Sequence, residues 1–132
     1  MLKVVVDTNV FISGILFGGN PRIIINFWLS KKFIFCLSPE LKAEILGKLK
    51  RKFLLPKEDL RQLEQALNLF SQKYIPGNKV NICNDPQDNF LLELADEANA
   101  DIIVSGDKQV LALKNFNKSK IVSQKEFLEL LS

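Results

Sequence analysis

Unbroken apolar runs alternate along this chain with segments whose apolar residues recur every three or four positions. The runs lie at Leu2-Lys3-Val4-Val5-Val6, Phe33 to Leu37, Val80 to Cys83, Asp101 to Ser105 and Lys120 to Val122. Continuous apolar character predicts strands of a parallel sheet covered on both faces. Thr8 opens a short helix that runs through Phe17, and Gly18-Gly19-Asn20 reads as a turn. Pro21 suits a first helical position, and Ile24, Phe27 and Trp28 give residues 21–31 a helical period. Ser38-Pro39 is a cap followed by a first turn, predicting a helix to about Phe53 with the stripe Leu41, Ile45, Leu46, Leu49 and Phe53. Pro56 opens another helix, with Leu60, Leu63, Leu67 and Phe70 facing inward, and Ile75-Pro76-Gly77-Asn78 breaks it. Asp85-Pro86-Gln87-Asp88 starts a helix carrying Phe90, Leu91, Leu94, Ala95 and Ala98. Residues 107–114 form a short helix and Lys125 to Leu131 a closing one. This alternation predicts an α/β fold, a three-layer α/β/α sandwich around a mainly parallel central sheet. The 132 residues are expected to form one domain, 1–132, without internal repeats.

Composition narrows the chemistry. There is no histidine, which excludes His-based triads, His-liganded zinc and His general bases. Cys36 and Cys83 both sit inside apolar stretches and read as small buried hydrophobes. No apolar run approaches the ~18 residues that span a bilayer. A soluble, cytoplasmic protein with no membrane partner is the expectation. The net charge of +3 is unevenly placed: residues 1–65 carry 11 basic and 6 acidic side chains, residues 66–132 carry 7 and 9. The excess concentrates at Lys48, Lys50, Arg51, Lys52 and Lys57. A solvated helix end accounts for such a run, since lysines meet the helix dipole favourably there; a surface facing a polyanion also accounts for it.

Four acids stand where ligands gather in such folds. Asp7 and Asp107 follow apolar strands, and right-handed crossovers send the exits of parallel strands to one edge. Asp88 lies at the start of a helix expected to follow the Val80–Cys83 strand. Glu44 sits about two turns into a helix that also follows a strand. Each has an ordinary structural role open to it. Asp7 and Asp107 can cap helices, Asp85 and Asp88 have capping-box spacing, and Glu44 edges an apolar stripe. Gathered at one edge, however, four carboxylates repel one another, and hard oxygen donors select magnesium or manganese. Asn9 and Ser105 lie within reach of the same edge and can orient a carboxylate or a phosphate oxygen.

Four segments carry a family resemblance. They are Val5-Val6-Asp7-Thr8-Asn9-Val10-Phe11-Ile12-Ser13, Ser38 to Ile45, Asp85 to Ala95, and Ala100 to Lys108 with its Ser105-Gly106-Asp107. In order and spacing they resemble the motifs of PIN-domain nucleases, and among them the prokaryotic toxins of toxin–antitoxin pairs. The resemblance implies a magnesium- or manganese-dependent endoribonuclease. It implies metal ligation by Asp7, Glu44, Asp88 and Asp107, with Thr8, Asn9 and Ser105 supporting them. It also implies an RNA substrate, an antitoxin partner and a homodimer. The further acid that often follows the fourth ligand in that family is replaced here by Lys108-Gln109.

The expected reaction is metal-assisted hydrolysis of an RNA phosphodiester, which needs no histidine. Lys48, Lys50, Arg51 and Lys52 are expected to hold the RNA backbone. An RNA-binding or protein-interaction module without turnover is the alternative. A haloacid-dehalogenase-like phosphatase requires a second Asp two residues after the first, where this chain has Asn9. A nucleotide-binding flavodoxin-like domain would show a glycine-rich phosphate loop after the first strand, and none is present.

Overall fold

The computed structural model describes residues 1–132. Its strands are β1 (Lys3–Val6), β2 (Ile34–Leu37), β3 (Ser71–Lys73), β4 (Ile102–Val104), β5 (Asn115–Phe116) and β6 (Ser119–Val122). The helices are α1 (Thr8–Leu16), α2 (Gly19–Leu29), α3 (Pro39–Arg51), α4 (Lys57–Phe70), α5 (Pro86–Ala98), α6 (Lys108–Ala112) and α7 (Gln124–Leu131). The sheet order is β3-β2-β1-β4-β6-β5, parallel except for β5, which pairs antiparallel with β6. Val4, Val5 and Val6 of β1 and Ile102, Ile103 and Val104 of β4 are all buried. Strands buried at every position need helices on both faces, and the expected α/β/α sandwich follows. Helix α5 packs across β1, β2 and β4, while α1 packs on α2 and α2 on α7.

The chain leaves β1 toward β2 and later returns to its other side as β4. The strand order therefore reverses between β1 and β4, the place where α/β sheets open a crevice at their carboxyl ends. Register carries the exits side by side: Val6 pairs with Val104, and the Asp7 N–H donates to the Val104 carbonyl at 2.9 Å.

Around this frame the core closes with shape-specific contacts. Phe11, Trp28 and Phe35 meet with ring centroids 5.3–5.4 Å apart. Gly14 lies where α1 and α2 cross at 94°. A Cβ there would come within 2.5 Å of the Pro21 carbonyl oxygen, so only glycine permits this approach. No single helix is long and apolar enough to cross a membrane.

Several expected elements differ. Val80–Cys83 is not a strand. The N–H of Val80 donates to Glu93, and those of Ile82 and Cys83 donate to the Asn89 Oδ1, so side chains of α5 take the donors a neighbouring strand would have needed. The sheet edge is instead occupied by β3, whose Ser-Gln-Lys sequence carries no strand signal and which pairs with β2 directly after α4. Phe70 does not face inward. It is 38% exposed, Lys31 lies over its ring, and its carbonyl accepts from the Trp28 indole at 2.8 Å. The Gly18-Gly19-Asn20 turn is tighter than expected, because α2 already begins at Gly19. The β5–β6 hairpin was not foreseen; Asn117, in the left-handed region at φ 51°, makes its turn possible.

The Asn89 amide holds the strandless 80–85 segment in place. It accepts from Ile82 and Cys83 and donates to the Cys83 carbonyl at 2.9 Å. Asn89→Ala strands these backbone groups and is expected to destabilise the protein by about 3 kcal/mol, as read by urea denaturation. A loss under ~1 kcal/mol would show that the segment is anchored elsewhere.

Candidate active site at the carboxyl edge of the sheet

Asp7 is fixed by two partners. Its Oδ1 accepts from the Asn9 N–H at 3.0 Å and so caps α1, and its Oδ2 accepts from the Ser105 hydroxyl at 2.8 Å. The same hydroxyl accepts from the Asp107 N–H at 3.0 Å. Ser105 is fully buried and ties the end of β1 to the loop after β4. Asp107 in turn caps α6, its Oδ1 accepting from Gln109 and Val110. The capping roles open to Asp7 and Asp107 in the sequence are thus real, and both carboxylates keep their place at the sheet edge while serving them.

Asp88 behaves differently from the expected capping box. Asp85 caps α5 by accepting from the Gln87 N–H at 2.9 Å, while the Asp88 side chain does not reach back. Asp88 is buried, its carboxyl accepts no hydrogen bond, and no buried side-chain oxygen in the molecule lacks a partner. Its oxygens therefore reach solvent. The start of α5 reaches the edge by way of the pinned loop, not by way of the strand anticipated there. Burial, followed by the charges of Asp107, Asp7, Asp85 and Glu44, pushes the Asp88 carboxyl up to about 6.

Glu44, on α3, is half-buried. Burial raises its pKa and the Asp7 charge adds to the rise, while the Thr8 hydroxyl and the Lys48 ammonium act against it. Asp7 is likewise raised, first by burial and then by Asp107, with Ser105, Asn9 and Lys48 opposing. Each of Asp7, Glu44 and Asp88 thus feels the charge of another acid of the set, and Asp107 acts on both Asp7 and Asp88. In this arrangement no three acidic side chains close around one point as a finished metal site.

The basic run of α3 is split by helical geometry. Lys48 turns to the acids, 3.6 Å from Glu44 Oε1 and 3.2 Å from Asn9 Oδ1. Lys50, two residues and about 200° further round, lines a separate groove with Lys57, Arg61 and Glu64. Arg51 lies against Gly47, and Lys52 sits over the Phe53 ring. These four residues do not form one continuous patch.

Asp7, Asn9, Ser13, Gly106, Asp107 and Gln124 line a cleft of about 280 Å³ at this edge. Ser13 and Gln124 were not singled out from sequence. Both had a signal: Ser13 is four residues beyond Asn9 on one helix face, and Gln124 opens α7 two residues past the end of β6.

Comparison with known proteins identifies the family. The PIN domain family matches residues 3–109. An uncharacterized protein of Methanocaldococcus jannaschii is 33% identical over 141 aligned positions, which cover 97% of this chain and 90% of that protein. With the sheet, the motif positions and the sequence match in agreement, the chain belongs to the PIN domain family, a nuclease-type fold.

Proposed function

We propose that this protein is a divalent-metal-dependent endoribonuclease using magnesium or manganese. The observation that carries the reading is the gathering of Asp7, Glu44, Asp88 and Asp107 along the carboxyl edge where the strand order reverses, with Asp88 unpartnered and its carboxyl pushed up to about 6, first by burial and then by the other acids. The donor set fits such an ion: hard carboxylate oxygens, with no imidazole in the chain and with the Cys36 thiol buried and held near 11, out of reach of ready ionisation. The four acids would hold it. Bound there, the ion supplies an activated water and neutralises charge on the phosphate during in-line displacement.

The chain's own residues do the rest. Ser105 and the Asn9 N–H lock both oxygens of Asp7, so that ligand needs no ordering when an ion arrives. Asp88 retains freedom to turn onto the ion. The cleft between Asn9, Ser13, Gly106 and Gln124 offers amide and hydroxyl groups to phosphate or ribose oxygens. Lys48 and the dispersed Lys50, Arg51 and Lys52 supply positive charge along α3 for the RNA backbone. We extend the reading to the toxin of a toxin–antitoxin pair, a cytoplasmic homodimer with an antitoxin partner. The support for that extension is motif resemblance, and its test is growth arrest on expression that a neighbouring gene product relieves.

The direct test is cleavage of a labelled single-stranded RNA by purified protein. Cleavage is expected with magnesium or manganese and is expected to stop on chelation. Protein that binds RNA but leaves it intact under all metals would make this chain a binding module instead.

A further inference from the structure

We propose that Lys48 is a resident counter-cation of the acidic cluster, which a divalent ion must displace before the site can close. This inference rests on the metal-dependent reading above. Lys48 belongs to α3, yet its ammonium bridges two elements: it stands 3.6 Å from Glu44 on its own helix and donates to Asn9 Oδ1 on α1 at 3.2 Å, 39 residues away. An ordinary surface pair one helical turn apart has no reason to reach across to another helix. The Glu44 side chain is 12% exposed and that of Lys48 27%, so the pair is packed against the protein and not held out in solvent. Asn9 is the residue whose own N–H holds Asp7, which places the ammonium on the network that orders the first acid.

This arrangement accounts for the orientation of Glu44 within the acidic set. The molecule puts four carboxylates at one edge, yet no three of them converge on a point. Glu44 is turned to Lys48, and a univalent ammonium takes a share of the negative charge that a divalent ion would take. Lys48 is a positioning residue in this scheme. It holds Glu44 and Asn9 while the site is empty of metal, and it is released as a free cation at the cleft mouth when metal takes Glu44. The released ammonium then faces the incoming phosphate, so metal loading and RNA binding reinforce each other.

The test is manganese binding by titration calorimetry on the full chain, at fixed ionic strength, comparing wild type with Lys48→Met, Lys48→Arg and Lys50→Met. Methionine at 48 keeps the aliphatic stem and removes the competitor. It is expected to tighten manganese binding about tenfold, the size of effect a nearby unit charge has on a divalent ion at a partly screened site. Lys48→Arg is expected to restore weak binding. Lys50→Met removes the same charge from another face of α3 and is expected to change affinity less than about twofold. Equal affinity in wild type and Lys48→Met overturns the proposal while leaving the metal site standing. Equal tightening by Lys50→Met overturns it too, because general charge would then suffice. Absence of manganese binding in every variant is a different result, and it removes the metal reading itself.

Discussion

Asp7→Asn is expected to lower the rate of RNA cleavage by about a hundred- to a thousandfold, the range typical for loss of one preorganised charge-stabilising group. The variant should still fold. Asparagine is among the best helix N-caps, and its amide oxygen can accept from the Asn9 N–H as Asp7 Oδ1 does. The Ser105 hydroxyl has acceptor capacity left to take the new amide N–H. What disappears is a buried negative charge at the end of β1. Manganese affinity should fall with activity, and the melting temperature should hold or rise, since burial disfavours the charge being removed. Rate, calorimetry and melting together separate loss of a ligand from loss of structure. Cleavage at the wild-type rate in this variant would remove Asp7 from the site.

Asp88→Asn is expected to lose activity and, without metal, to be more stable than the wild type. The direction follows from linkage. The folded-state pKa of Asp88 is raised from 3.8 to about 6, so the folded protein holds this proton more tightly than the unfolded chain. That stabilisation is fully present below pH 3.8 and is lost as pH rises through 6. Near pH 7.5 the ionised carboxylate is a burden, which asparagine removes. Because its oxygens meet solvent, the gain is about 1 kcal/mol, or ~3–5 °C in melting temperature for a domain of this size. Below about pH 3 the two proteins should melt together, because Asp88 is then protonated in both states. Saturating magnesium reverses the order near neutrality, because only the wild type gains fully from the ion. Manganese binding by the wild type should also weaken as pH drops through 6, since proton and ion compete for the Asp88 carboxylate. A variant that melts lower than the wild type in chelator at pH 7.5 would show that Asp88 has a structural partner in the native state.

The residues that turned out legible are those whose local signal and tertiary role agree. Unbroken Val4-Val5-Val6 and Ile102-Ile103-Val104 mark strands covered on both sides, and that burial is what fixes the middle of the sheet. Ser38-Pro39 and Asp85-Pro86 announce helix starts, and both are realised as caps. The positions of Asp7 and Asp107 follow from strand exits and chain reversal, with no side-chain detail required. Elsewhere local and global preferences part. Val80–Cys83 has the composition of a strand, but Asn89 and Glu93 claim its backbone donors, and no pattern within the segment reveals a partner six to thirteen residues later. Ser71–Lys73 enters the sheet because β2 has a free edge beside the end of α4, a fact of position. The basic run of α3 looked like one surface because proximity along a helix is not proximity around it. Lys48 and Lys50 face different neighbours.

The hydroxyl of Ser105 and the carboxylate of Asp7 are separated by 98 positions in the chain. During translation, Asp7 emerges early and waits for β4 to supply its neighbour, so the chain as far as Ser105 must leave the ribosome before the centre can assemble. Until then the end of β1 presents a carboxylate without the hydroxyl that orients it.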